Sequence, residues 1–238
     1  MIDRRRLLYI STVSVIGLGF GIGYAETRHI EVTKLDMGIG RKIAFLTDLH
    51  INVLGNMVED AVKIVNREEP DIIILGGDTI DEWTLDIKSA SKSLSRLEAQ
   101  EKFAVMGNHE YWSGKAKEFA SLLKEQDFKI LYDSSVQSKA GKVYGLDWKE
   151  DRKYPQINVD GIVIVHDPNA ALSVSGNALI LAGHTHGGLT LFGLKYSNSI
   201  FTRGLYRINE DCTLYVSRGL GQMLPWRLSS PLELVIIE

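Results

Sequence analysis

The sequence predicts an α/β fold, a two-sheet β-sandwich flanked by helices, on three observations. Residues 42–46, 71–75, 102–106, 161–165 and 178–182 are short runs rich in Ile, Val, Leu and Phe, as strands buried on both faces are. The first three runs alternate with stretches of helical periodicity, the pattern of a parallel or mixed sheet covered by helices. Downstream, residues 129–132, 136–139, 142–146, 189–192, 213–216 and 232–237 are strand-like and mostly separated by turns, which predicts a second sheet.

The helical stretches follow from apolar spacing. Residues 56–67 place Met57, Val58, Ala61, Ile64 and Val65 on one face, and residues 85–97 do the same with Ile87, Leu94 and Leu97. A third stretch, 115–125, carries Phe119, Leu122 and Leu123 at similar spacing. In a sheet of this kind the loops at the carboxyl ends of the strands share one edge, where ligands bind.

A chain of 238 residues, 45% of them hydrophobic, buries one substantial core, so one domain over residues 26–238 is expected. A net charge of −3, with no run of Lys or Arg beyond the first residues, argues against a surface that wraps nucleic acid. The single cysteine, Cys212, excludes an internal disulfide.

Residues 1–25 differ from the rest. Arg4, Arg5 and Arg6 precede an uncharged run from Leu7 to Ala25, and Gly23-Tyr24-Ala25 has the small-x-small form of a signal-peptidase site. Asp3-Arg4-Arg5-Arg6-Leu7-Leu8 resembles a twin-arginine signal, the route for proteins exported already folded. The run is also close to the ~20 apolar residues that span a bilayer, so export with cleavage and retention as a membrane anchor both stand as expectations.

Each of the five buried runs leads into a phrase of metal-binding residue types. They are Asp48-Leu49-His50, Gly76-Gly77-Asp78, Gly107-Asn108-His109-Glu110, Val165-His166-Asp167 and Gly183-His184-Thr185-His186. Imidazole, carboxylate and amide donors suit borderline divalent ions, so five distant segments are expected to build one metal site. A lone histidine at a strand end is usually a hydrogen-bonded loop residue, but five in this arrangement are not. His29 lies outside every phrase.

The ordered set Asp48-x-His50, Gly77-Asp78-x-x-Asp81, Gly107-Asn108-His109-Glu110, His166 and Gly183-His184-x-His186 resembles the calcineurin-like metallophosphoesterases. Together with Arg203-Gly204-Leu205-Tyr206, Ser217-Arg218-Gly219-Leu220-Gly221 and the arginine-rich start, it looks like the YaeI/YkuE branch of bacterial, membrane-associated or exported phosphodiesterases. The resemblance implies that Asp48, His50 and His186 hold one metal, that Asn108, His166 and His184 hold a second, and that Asp78 bridges them. It implies two divalent ions (Mn, Fe, Zn or Ni), a hydroxide between them as nucleophile, and His109 as the residue that protonates the leaving oxygen.

Asp81 is expected to fix a ligand or a helix start from behind, and Glu110 to orient the His109 imidazole. Asp167 is expected either to tune charge beside the second metal or to cap the helix that Pro168 begins. Tyr111 and Trp112 stand as substrate wall or core, whereas Trp148, Trp226, Phe192 and Tyr206 are assigned to the core. Arg203 and Arg218 carry forks suited to phosphate, but surface pairing is their default.

The function implied is hydrolysis of a phosphodiester or pyrophosphate bond, with an amphiphilic substrate such as UDP-diacylglucosamine or a phospholipid and attachment to the bacterial cytoplasmic membrane through the N-terminus. A phosphomonoesterase is the alternative within the enzyme class. A metal-bound interaction scaffold without turnover is the alternative outside it.

Overall fold

The computed structural model describes residues 21, 23–191, 194–223, 227 and 229–238, so Phe192, Trp226 and most of the 1–25 segment lie outside what is described. In chain order the elements are β1 (Ile30–Leu35), β2 (Ile43–Leu46), α1 (Val58–Glu68), β3 (Ile72–Leu75), α2 (Ile87–Leu94), β4 (Glu101–Ala104), α3 (Asn108–Trp112), α4 (Ala116–Lys124), β5 (Phe128–Ile130), β6 (Ser134–Ser138), β7 (Gly141–Leu146), β8 (Ile157–Asn158) and β9 (Gly161–Val165). After a 3₁₀ helix at Pro168–Ser173 come β10 (Val174–Ser175), β11 (Ala178–Ala182), β12 (Leu189–Leu191), β13 (Leu194–Tyr196), β14 (Gly204–Arg207), β15 (Cys212–Val216) and β16 (Leu232–Ile237).

Two six-stranded sheets stack face to face, in the orders β1-β16-β2-β3-β4-β5 and β14-β15-β11-β9-β7-β6. Strands β2 to β5 run parallel, as do β15, β11, β9 and β7. The period-two pattern of the strands makes three layers of core. Ile43 and Phe45 of β2, with Ile72 and Ile74 of β3, face the second sheet and meet Ile162, Ile164 and Leu181. Ala44, Leu46, Ile73 and Leu75 face the other way, onto Val58, Val65, Leu94, Phe119 and Leu123 of the helices. The outer face of the second sheet, with Val163, Val165 and Ile180, packs under Ala170 and Ala171 of the 3₁₀ helix. Phe45 and Phe103 are fully buried, each contributing about 2–3 kcal/mol by leaving water.

The helices form where the apolar spacing placed them, with ends shifted by one to three residues. Asp86 caps α2 by accepting from the amides of Lys88 and Ser89 at 3.1 and 3.0 Å, so this carboxylate does more than face solvent. Three downstream segments differ from the sequence expectation of a second sheet. The 129–132 segment, seen as β5, and the 232–237 segment, seen as β16, belong to the first sheet, and β12, from the 189–192 segment, forms a separate two-stranded sheet with β13, while β9 and β11 belong to the second large sheet. The reason for β16 is burial: its run is covered on both faces, and it lies between β1 and β2, pairing parallel with one and antiparallel with the other. Strand β1 went unread because only Ile30 of its six residues is buried, so the segment carries little apolar signal.

Strand register explains why distant phrases meet. Leu46 pairs with Leu75 and Leu75 with Ala104, so the loops after β2, β3 and β4 start level. In the second sheet Leu146 pairs with Val165 and Leu181 with Ile164. The carboxyl ends of both sheets open on the same edge, and the metal-type residues stand there.

Candidate metal centre

Five candidate ligands occupy the left-handed region of backbone space. They are Asp48 at φ 51°, His50 at 44°, Asp78 at 50°, His184 at 74° and His186 at 50°. Each such residue costs roughly 1–3 kcal/mol, and such costs concentrate where a site demands a particular side-chain direction. The loops are also pressed together. A Cβ on Gly107 would lie 2.2 Å from Asp78 Oδ1, and one on Gly183 would lie 2.4 Å from Asp48 Oδ2, so no larger residue fits at either place without displacing a carboxylate.

Asp78 sits at the middle. Its Oδ2 lies 2.9 Å from His166 Nε2 and 4.0 Å from both His50 Nε2 and His109 Nε2. Its Oδ1 accepts from the His109 amide at 2.8 Å. Asp48, on the other side of His50, accepts from the His184 amide at 3.0 and 3.1 Å and stands 3.6 Å from His186 Nε2. Among the described residues three groups of donor atoms could each hold a metal ion: Asp48, His50 and His186; His50, Asp78 and His109; Asp78, His166 and His184. Asn108 is buried beside them at the start of α3.

Supporting contacts decide which ring nitrogens face inward. His50 Nδ1 lies 3.1 Å from Asp81 Oδ2, and His166 Nδ1 lies 2.9 Å from the Gly76 carbonyl. Both partners only accept, so both rings carry a proton on Nδ1 and turn Nε2 into the cluster, where that of His166 meets Asp78. Asn52 Nδ2 donates to the same Asp81 oxygen at 2.7 Å. His184 Nδ1 faces His166 Nε2 at 3.3 Å, and its Nε2 meets the Asn198 amide at 3.0 Å. His186 Nδ1 is 3.0 Å from the Gly221 carbonyl and 3.1 Å from the Arg227 guanidinium.

Two buried polar atoms of this cluster, His50 Nε2 and Asn108 Oδ1, have no hydrogen-bond partner among the described residues. A buried acceptor left unpaired costs about 1–3 kcal/mol, and a dication is a partner that these two atoms fit. The proton balance agrees. Burial opposes charge on Asp78, yet His166 and its hydrogen bond hold that carboxyl below the usual range. Burial likewise opposes charge on His166, yet Asp78 raises it, while burial and His166 push His184 down. His166 therefore keeps its second proton, facing Asp78, while His184 stays neutral through the neutral range, and a metal would displace that proton.

His109 projects from the first turn of α3 with its Nδ1 2.6 Å from Glu82 Oε2. Glu110 is not its partner, a correction to the sequence reading. The Glu110 carboxylate is fully buried and accepts four backbone N–H groups, from Asp78, Thr79, Ile80 and Gly107, at 2.9, 2.5, 3.1 and 2.8 Å. It therefore shapes the turn that presents Asp78. The helix direction explains this: position three of α3 points back toward the orphan amides of its own start, and position two points out over the cluster.

Aromatic rings close one side. Trp112, half exposed, packs edge-on to His109 at 5.1 Å and to Trp148 at 6.4 Å, and Trp148 lies over His184 at 5.3 Å. Both indole N–H groups donate to Glu150, at 3.0 and 3.1 Å. Trp148 is buried as expected but against the cluster, and Trp112 lines its rim. Tyr206 is half buried. Asp167 caps the 3₁₀ helix through the Asn169 amide at 3.0 Å and is clamped by Arg152 at 2.7 and 2.6 Å. Arg218 pairs with Glu31 and Glu233, and Arg203 binds the Ser229 carbonyl, so both are engaged by the protein.

Of the predicted site residues, Asp48, His50, Asp78, Asn108, His109, His166, His184 and His186 all converge, and Asp81 stands behind His50. Sequence reading missed Glu82, Asn52, Asn198, Arg227 and Arg152. Glu82 and Asn52 lie one and two residues past a motif, close enough for the local pattern to mark them. Asn198, Arg227 and Arg152 reach the site from distant loops with no local pattern to mark them.

The model of a family described as calcineurin-like phosphoesterase matches residues 41–188. A metallophosphoesterase of Aquifex aeolicus is 32% identical over 237 residues, 89% of this chain and 90% of that one. Phosphodiesterase YaeI of Escherichia coli is 28% identical, covering 100% of this chain and 99% of that one. A metallophosphoesterase of Campylobacter jejuni is 30% identical over 90% of this chain, which spans only 63% of that relative's length.

Proposed function

Because the chain belongs to the calcineurin-like phosphoesterase family, we propose that it hydrolyses phosphodiester or pyrophosphate bonds with two divalent metals at the Asp48–His186 and Asp78–His184 clusters. The observation that carries this reading is the position of Asp78, whose carboxylate reaches toward His50 on one side and His166 on the other. Asp48, His50 and His186 would hold one ion, Asn108, His166 and His184 the other, and Asp78 both. When bound, such a pair lowers the pKa of water and clamps the attacking and leaving oxygens of an in-line displacement.

The chain's own residues supply the rest. His109, backed by Glu82, stands 4.0 Å from Asp78 Oδ2, where it can give a proton to the leaving oxygen. Asp81 holds His50 in the tautomer a metal needs, and the Gly76 carbonyl does so for His166. Trp112 and Trp148 keep water from one flank. The phosphodiesterase name of the Escherichia coli relative favours a diester over a monoester. Manganese, iron, zinc and nickel all suit the donor set.

The reading includes a tether. Gly23 is buried and its carbonyl accepts from the Arg227 amide at 3.0 Å, while Glu26 accepts from the Ser230 amide at 3.1 Å. Residues on both sides of Ala25 thus belong to the fold, which supports retention of the 1–25 segment as an anchor at the bacterial cytoplasmic membrane, over cleavage. An amphiphilic phosphodiester follows as the substrate class. The test is turnover of bis(p-nitrophenyl) phosphate against p-nitrophenyl phosphate after metal loading. Preference for the diester is expected, preference for the monoester favours the phosphomonoesterase, and no turnover of either favours a scaffold. Among the described residues no helix is long and apolar enough to cross a membrane.

A further inference from the structure

Five large apolar side chains stand exposed along one rim of the cluster: Val53 at 60%, Leu54 at 46%, Trp83 at 39%, Leu85 at 78% and Tyr24 at 48%. Four of them sit on the two loops that follow His50 and Asp81, and those loops are stapled together. Asp81 accepts from the Asn52 side chain at 2.7 Å and from the Trp83 amide at 2.8 Å, and Thr84 Oγ1 donates to the Ile51 carbonyl at 2.7 Å. The same Asp81 holds His50, so the apolar rim is fixed to the site and cannot fold away from it independently.

Two recesses along this rim meet at Asn56. Val53 and Leu85 line one recess, and Leu54 and Tyr24 line the next, whose floor is Leu220 and Gly221 beside His186. Tyr24 is where the uncharged run that begins at Leu7 joins the domain, docked through Gly23 to Arg227. An exposed apolar strip attached to a functional site calls for a partner, and the apolar run of sequence entering at its end points to a bilayer. Glu59 and Asp86 flank the recess of Val53 and Leu85, which suits a zwitterionic surface better than an anionic one.

We propose that the strip of Val53, Leu54, Trp83, Leu85 and Tyr24 seats on the interfacial zone of a bilayer, so that the mouth of the site takes phosphodiesters held in that bilayer. The inference rests on the phosphodiesterase reading and on retention of residues 1–25, and its test separates the two. Full-length, manganese-loaded protein is mixed with phosphatidylcholine vesicles carrying bromines on their acyl chains. Wild-type emission is expected to be quenched more than that of Trp83→Phe, a readout independent of turnover. With p-nitrophenyl hexadecyl phosphate embedded in plain phosphatidylcholine vesicles, Val53→Ser/Leu85→Ser is expected to lose about tenfold or more in rate, with the rate on soluble bis(p-nitrophenyl) phosphate unchanged. Equal quenching of wild type and Trp83→Phe, or equal and measurable vesicle rates for wild type and the double variant, would overturn the proposal. Trp83-specific quenching in a protein that turns over neither ester would keep the seat and remove the phosphodiesterase reading alone.

Discussion

Glu82 Oε2 lies 2.6 Å from Nδ1 of His109, whereas Glu110, its sequence neighbour, spends its whole carboxylate on backbone amides. The two acids thus serve different ends. Glu82→Gln is expected to keep fold and metals while lowering kcat about tenfold, because the imidazole loses the carboxylate that orients it. Glu110→Gln turns two amide hydrogens toward backbone donors and is expected to cost about 2–3 kcal/mol. Thermal melts and kcat of both variants check this: a stable Glu110→Gln, or a Glu82→Gln of full activity, contradicts the division.

His109 meets Asp78 only through its backbone amide and a 4.0 Å approach of its ring. His109→Ala is therefore expected to retain both metals and to lose about 10²–10⁴-fold in turnover. The loss should shrink for acidic leaving groups, which scarcely need a proton. An equal loss for nitrophenyl and alkyl esters argues against proton donation.

The opposed shifts of His166 and His184 predict a pH profile for the metal-free chain. His166 is raised by Asp78, so its contribution is complete below about pH 6.5, the unfolded value, and fades as pH rises toward its folded pKa. His184 is lowered by burial and by His166, so its contribution is present above about pH 6.5 and fades as pH falls. Melting temperature in chelator is expected to peak near neutral pH and decline on both sides. A monotonic profile from pH 5 to 9 contradicts the opposed shifts of the two rings.

Much of this centre was legible because it is written locally. Five buried runs end in five short phrases, and parallel register carries those phrases to one edge whatever the exact strand order. Sheet membership was harder, since the burial that makes β16 read as a strand does not say which sheet it enters. The role of Glu110 was misread because helix geometry, not adjacency, decides where a side chain points. Asn198, Arg227 and Arg152 act across long sequence separations that no local pattern records.

Address is a separate question. If Arg4 and Arg5 form a recognised twin-arginine pair, changing both to Lys should block export and leave the catalytic domain protected in spheroplasts. Continued protease exposure of that variant would point to the general secretory route. Protection of the wild type would indicate a domain facing the cytoplasm.

The position of Asp78 between the two clusters makes the number of metals decisive. The direct measurement is metal content by mass spectrometry, alongside bis(p-nitrophenyl) phosphate hydrolysis, for wild type, His50→Ala, His166→Ala and Asp78→Asn. Two equivalents and turnover are expected in wild type, with about one equivalent lost in each histidine variant. Asp78→Asn is expected to weaken both ions and to lower activity by orders of magnitude. Two full equivalents retained in Asp78→Asn, or full activity at one equivalent in wild type, would contradict a dinuclear centre bridged by Asp78.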